Sequence, residues 1–149
     1  MSELTSDKII TTAREWIGTP YIHQASLKHV GCDCLGLLRG IWRECVGDEP
    51  EPFTPYTPDW AEAKNEETLA AAGFRHFNEI DIHEASAADI VLFRWRTHVP
   101  ARHVGILTSA TSMIHAHGGV NVCEVPLSTW WKRRIAYAFR FRSLTIPLP

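Results

Sequence analysis

The chain has 149 residues, 45% of them hydrophobic and 21% charged, a size and balance that fit one globular domain over residues 1–149 and exclude a disordered chain, a coiled coil or a collagen-like polymer. Fifteen Lys and Arg against seventeen Asp and Glu give a formal net charge of −2, without the basic excess of a nucleic-acid binder, so no nucleic-acid partner is expected. No apolar run approaches the ~20 residues of a membrane span, and the polar start Met-Ser-Glu-Leu-Thr-Ser-Asp-Lys has no leader pattern, so the expectation is synthesis in the cytoplasm without a signal peptide.

Ile9, Ile10, Ala13, Trp16 and Ile17 recur at helical spacing and predict a helix over 7–17, stopped by Gly18. Gly18-Thr19-Pro20 reads as a turn. Cys34, Leu37, Leu38, Ile41, Trp42 and Cys45 form one apolar stripe and predict a core helix over 34–45, closed by Gly47. Four prolines (Pro50, Pro52, Pro55 and Pro58) make 48–58 irregular. Thr57-Pro58 looks like an N-cap with Pro at the first helical position, predicting helix over about 58–72 that ends near Gly73.

The period then changes. Residues 89–93, 103–107, 113–116 and 120–125 predict strands, the last two separated by Gly118-Gly119, and 134–141 predicts a final strand. Helices followed by a strand meander indicate an α+β domain with an antiparallel sheet.

Asp33 precedes the central helix as a plausible N-cap, which puts Cys34 in the first turn. The free amides and positive dipole end there favour a thiolate, the activated form of a cysteine nucleophile. The plainer reading is that Cys34 opens the apolar stripe. A nucleophilic thiol needs a base, and His103 at the start of a strand beside Gly105 is placed to face a cleft. His115 and His117 both have the parity to share its face. A loop of Thr108-Ser109-Ala110 sets His115 opposite His103, whereas a loop one residue later sets His117 there, and spacing does not separate them. The alternative is that these histidines are surface or core residues.

Cys32, Cys34, His115, His117 and Cys123 also allow a zinc reading, although Cys-x-Cys is tighter than the usual zinc spacing. The four cysteines, Cys45 included, are expected as reduced thiols. Trp130-Trp131-Lys132-Arg133-Arg134 reads either as a solvated loop or as the wall of a cleft for an anionic or sugar-bearing polymer.

Three blocks together resemble the NlpC-type papain-like cysteine peptidases of bacterial cell walls. Gly18-Thr19-Pro20-Tyr21 looks like the family's Gly-x-Pro-Tyr turn, and Asp33-Cys34-Leu35-Gly36 like its Asp-Cys-Ser-Gly nucleophile motif. His103-Val104-Gly105-Ile106 looks like its His-Val-Gly-Ile base strand, followed at the usual spacing by Ile114-His115-Ala116. The blocks span 7–126 in order. Asp33-Cys34-Leu35-Gly36-Leu37, with Trp130-Trp131, is most similar to the branch found in phage tails and gene-transfer particles. Two positions depart from the family: Leu35 stands where Ser is usual, and Ile22-His23-Gln24 where Gly-Gly often follows the tyrosine.

The resemblance implies a papain-like fold, with the nucleophile helix packed on the C-terminal sheet, and a cell-wall endopeptidase needing no cofactor or metal. Its expected substrate is an amide of the peptidoglycan stem peptide, typically γ-D-glutamyl–diaminopimelate. It implies Cys34 as nucleophile, His103 as base and His115 as orienting residue, with Tyr21, Asp33 and Leu35 on the substrate and oxyanion side. Phage-tail or gene-transfer-particle proteins are the implied partners, and a phage-like particle the implied location. The alternatives on the same fold are a thiol acyltransferase or amidase, and a non-catalytic wall-binding module of a phage tail.

Overall fold

The computed structural model describes residues 3–52 and 66–145. Helix α1 spans Ser6–Glu15, and the Thr5 hydroxyl accepts the Lys8 amide at 3.1 Å to cap it. It buries Ile9, Ile10 and Ala13, and Trp16 follows with its Nε1 donating to Glu44 at 3.1 Å. Two short antiparallel strands come next, β1 (Ser26–Leu27) and β2 (Gly31–Cys32), neither visible as a run in the sequence.

Helix α2 spans Cys34–Cys45, the predicted bounds, and Leu37 and Ile41 of its stripe are fully buried. Gly36 lies where α2 passes closest to the preceding turn: a Cβ there would be driven into the Ala25 carbonyl oxygen. The Ser26 hydroxyl donates to the Gly36 carbonyl at 2.6 Å and fastens the same approach.

The helix predicted over 58–72 lies partly outside the described residues. Helix α3 is Thr68–His76, so the chain stays helical through Gly73 instead of stopping there. The reason is packing: a Cβ at Gly73 would come within 2.6 Å of the Phe139 ring, so glycine here serves a close helix–sheet contact. Strand β3 (Asn78–Ile80), which has no alternating apolar pattern, follows, and then a 3-10 turn at Ile82–Glu84.

The remaining strands match expectation within a residue or two: β4 (Ile90–Phe93), β5 (His103–Ser109), β6 (Ser112–His117), β7 (Val120–Pro126) and β8 (Ile135–Arg140). One helical turn, α4 (Thr129–Lys132), replaces the expected loop around Trp130-Trp131. The six-stranded sheet runs β3-β8-β4-β5-β6-β7 with every neighbouring pair antiparallel. The fold is α+β, as the order of periods implied.

Period-2 alternation divides β4 between two cores. Ile90 and Leu92 join the larger one with α1 and α2, while Val91 and Phe93 join a smaller one on the opposite face with Leu107, Met113 and Leu127. His103 and His115 share parity with Leu107 and Met113, so they lie on the smaller face. Helix α2 packs into the larger core, and its N-terminus reaches the beginning of β5 beside His103.

Gly36→Ala tests this close approach. Alanine raises helix propensity by about 1 kcal/mol, yet the clash with Ala25 backbone should outweigh it and cost about 1–3 kcal/mol. Urea denaturation should therefore show a lowered midpoint, and an unchanged or raised one would contradict the packing.

Candidate active site

The site starts from Asp33, which is buried with 2% exposure. Its Oδ1 accepts the Gly36 amide at 2.7 Å, the N-cap bond expected from sequence, and its Oδ2 accepts the Gln24 amide at 2.7 Å. One carboxylate thereby ties the start of α2 to the preceding turn, where Gln24 holds the left-handed conformation at φ 67°. His23 lies beside the same carboxylate, Nδ1 3.7 Å from Oδ2.

Cys34, the first residue of α2, is fixed by that cap. Its Sγ lies 4.0 Å from the Arg102 carbonyl oxygen, and the amides of Val104, Leu35 and Cys34 itself are directed at it. The sulfur therefore rests on the backbone that flanks His103. The helix start favours a thiolate here, and burial works against it. Burial, reinforced by the Asp33 carboxylate, pushes the thiol up to about 12 and outweighs the three amides. At neutral pH Cys34 is a protonated thiol.

His103 is buried with 3% exposure, and its Nε2 lies 2.9 Å from His115 Nδ1. Desolvation, with His115 and His117 as like charges next, holds His103 well below the ordinary imidazole range. Burial, with His117 next, holds His115 down to about 4, and burial with the Arg102 guanidinium lowers His117. All three rings are neutral near pH 7, and one imidazole donates to the other in the His103–His115 hydrogen bond.

The hairpin that pairs the histidines differs from the simplest expectation. Ile106 faces Ile114 and Leu107 faces Met113, then the register shifts so that Ser109 faces Ser112. The turn thus centres one residue later than Thr108-Ser109-Ala110. Continued down the strands, this register sets His117 across from His103. The hydrogen bond nevertheless goes to His115, the diagonal neighbour, while His117 stacks on His115 at 5.8 Å and 12°.

Of the aromatic wall over the histidines, the sequence reading offered Trp131 as one alternative and missed Trp95. Trp95 and Trp131 stack on the His103 ring at 5.4 and 5.5 Å. Their own centroids are 5.9 Å apart, too close to hold an imidazole between them, so both cover the same side. Trp131 also sets its edge against His115 at 5.1 Å. Trp95 stands on the β4–β5 loop, which has no periodic signal. Glu67 fastens that loop near both ends, taking the Ala101 amide at 2.9 Å and the Arg94 guanidinium at 3.4 Å.

The other predicted residues are close by. Tyr21 is half-buried and bridged to Cys32, and desolvation with the nearby Cys34 raises its phenol to about 12. Leu35 packs half-buried against the larger core. Cys32 is fully buried inside β2. The five residues of the zinc reading are not gathered: among the described residues no three His, Cys, Asp or Glu side chains form a metal-holding group.

Two buried neutral imidazoles have a consequence for stability. Their folded-state values lie below the ordinary 6.5, so the unfolded chain binds protons first as pH falls. Their contribution is complete above about pH 6.5 and is lost on the way down to about 4. The acidic residues with lowered values, Glu49, Glu51 and Glu124, titrate below 4.5 and do not account for this window. The urea midpoint should fall between about pH 7 and about pH 5, and His115→Gln should flatten the fall. A flat profile for the unaltered protein would overturn the assignment of neutral buried rings.

Comparison with known proteins places this arrangement. The family model described as "NlpC/P60 family" matches residues 18–140. The chain is 27% identical over 140 residues to a "Gamma-DL-glutamyl hydrolase" of Bacillus subtilis, a match covering 93% of this chain and 30% of that protein. The chain thus spans about a third of that relative's length. Among solved structures, the NlpC/p60 domain of the peptidoglycan hydrolase SagA superposes with a TM-score of 0.65 at 23% identity, over 91% of this chain and 98% of that one. An NlpC/P60 family protein from Bacillus cereus gives 0.68 at 20% identity, over 91% of this chain and 40% of that one. With Cys34 seated beside the start of β5, His103 bonded to His115, and the family model matching most of its length, the chain belongs to the NlpC/P60 family.

Proposed function

We propose that the protein is a cysteine peptidase that hydrolyses a γ-D-glutamyl amide in the peptidoglycan stem peptide, the bond to diaminopimelate being the expected one. The observation that carries this is the His103 Nε2–His115 Nδ1 hydrogen bond beside a thiol seated on the start of β5. With Nε2 engaged by His115, Nδ1 is the nitrogen left to serve Cys34. For Nδ1 to accept a proton it must be bare, so Nε2 carries the hydrogen and His115 Nδ1 accepts it. The orienting residue thereby selects the reactive tautomer.

In this mechanism His103 Nδ1 takes the Cys34 proton as the sulfur attacks the scissile carbonyl. The Cys34 amide at the start of α2 receives the oxyanion, with the Tyr21 phenol, protonated at neutral pH, as a second donor. The imidazolium that forms is met by the faces of Trp95 and Trp131. His103 then protonates the departing amine, the C–N bond breaks, and a thioester remains. Water attacks the thioester, gives a proton to His103, and releases the acid as Cys34 recovers its own.

The names of the relatives support the bond class: a γ-glutamyl hydrolase acts at the same linkage type, and SagA is a peptidoglycan hydrolase. The phage-tail-like string Asp33-Cys34-Leu35-Gly36-Leu37 supports a setting in a phage-like or gene-transfer particle, with tail proteins as partners.

Cys34→Ala should abolish release of stem-peptide fragments from purified sacculi, read by mass spectrometry, while Cys32→Ala should retain most of it. His115→Ala should lower the rate about 10- to 1,000-fold, and His117→Ala much less. Equal losses from His115→Ala and His117→Ala would refute the orienting role.

Leu35 adds a substrate preference. Leucine offers no partner to the free amine of a stem peptide already cut from its glycan, and leaving that amine unpaired costs about 1–3 kcal/mol. Initial rates on glycan-attached stems should therefore equal or exceed those on a free tetrapeptide. A strong preference for the free peptide would point to a recycling enzyme.

A further inference from the structure

Beside the histidines opens a pocket of about 590 Å³ that the mechanism above does not use. It is lined by Arg94, Trp95, Arg96, Trp130, Arg133 and Arg134, together with two threonines and no acidic residue. Four guanidinium groups thus converge in a chain whose net charge is −2. Two are committed locally. Arg94 is paired with Glu67 at 3.4 Å, and Arg134 donates to the Trp130 carbonyl at 2.8 Å while lying 3.7 Å over that ring. Arg96 and Arg133 are exposed, and among the described residues neither has a carboxylate within ion-pair distance. The floor is built rather than loose: Trp130 and Trp131 meet edge to face at 4.8 Å, and Trp130 lies 6.2 Å from Trp95.

The place of this pocket along the substrate follows from the chemistry. The acid that protonates a departing amine must stand on the amine's side of the scissile bond. Trp95 both lines the pocket and stacks on His103, so the pocket lies on that side. The peptide half released as the amine is the half that reaches the arginines. Guanidinium groups without partners, set in an aromatic frame, select planar anions, above all carboxylates.

We propose that this arginine–tryptophan pocket is a subsite for a free carboxylate on the amine half of the substrate, so that the enzyme selects γ-glutamyl amides whose released residue is acidic. The inference rests on the proposed hydrolysis of a γ-glutamyl amide and adds what lies beyond the cut. Two substrates supply that chemistry: a diamino diacid with a free side-chain carboxylate, and the next residue of a γ-linked glutamate polymer. A lysine or an amidated diamino acid in the same position lacks it.

The test compares kcat/KM on γ-D-glutamyl-diaminopimelate peptides carrying either the free side-chain carboxylate or its carboxamide, with γ-linked oligoglutamate as a third substrate. The unaltered protein should prefer the acid over the amide about tenfold, the scale of one exposed charge-assisted contact. Arg96→Gln with Arg133→Gln should bring that ratio near one, mainly through KM. Arginine-dependent cutting of oligoglutamate would identify the polymer as the source, and its absence the diamino acid. Equal rates on acid and amide, or a preference that survives the double substitution, would overturn the proposal.

A binding arm separates this from failure of the hydrolytic reading. Diaminopimelic acid should bind Cys34→Ala protein in calorimetry, weakening as salt rises to about 0.3 M and again on Arg96→Gln with Arg133→Gln. If that binding holds while no γ-glutamyl substrate is cut, the proposed reaction falls and the subsite stands. If the ligand does not bind, or binds regardless of salt and of both arginines, the subsite falls.

Discussion

The site hangs on one carboxylate. Asp33 accepts the Gly36 amide with one oxygen and the Gln24 amide with the other, at 2.7 Å each. The first bond starts α2 at Cys34, and the second holds the turn before it in a left-handed conformation that Gln24 would not otherwise favour. Buried among backbone donors, the carboxylate fulfils a need that α2 creates, because the first amides of a helix lack partners inside it. Gly36 allows the approach, since any larger residue would push the Ala25 carbonyl away from the helix. Cap, turn and glycine act together to set one sulfur against the start of β5.

The same enclosure sets the protonation states. A helix start stabilises a thiolate, but here removing charge from water dominates, and Asp33 adds repulsion at close range. The imidazoles obey the same rule with opposite sign, so thiol and rings rest uncharged. In the proposed mechanism charge separates only when sulfur attacks. The tryptophan faces, the helix-start amides and the His115 acceptor are then all in place to meet it. Stabilisation is built in for the charged state and absent from the resting one, which is the condition for lowering a barrier rather than a ground state.

Much of this was legible in the sequence, for reasons that differ by residue. Helix α2 was readable to the residue because its stripe and its cap agree. Strands β4 to β7 were readable as short apolar runs between turn residues. Strand β3 was not, since Asn78, Glu79 and Ile80 carry no alternation and are held by pairing with β8. Gly73 misled because a helix stop and a close ring contact both call for glycine. The histidine pair shows the limit most clearly. Parity put His103, His115 and His117 on one face, but a register shift decided the cross-strand partner and a diagonal reach decided the hydrogen bond. Trp95 had no local signal, because its place depends on a loop tied down by the distant Glu67.

The protonated state of Cys34 bears on how the protein survives while idle. Oxidation of cysteine to sulfenic acid, and onward to irreversible acids, begins from the thiolate. A sulfur pushed up to about 12 presents almost no thiolate near neutral pH. Peroxide and disulfides therefore find little to attack until the proton leaves, which in the proposed mechanism happens only when substrate is bound and His103 takes it. If Cys34 is the nucleophile proposed above, the enclosure that delays its charge also lengthens its life at rest, because the sulfur is guarded by its own proton rather than by a reductant.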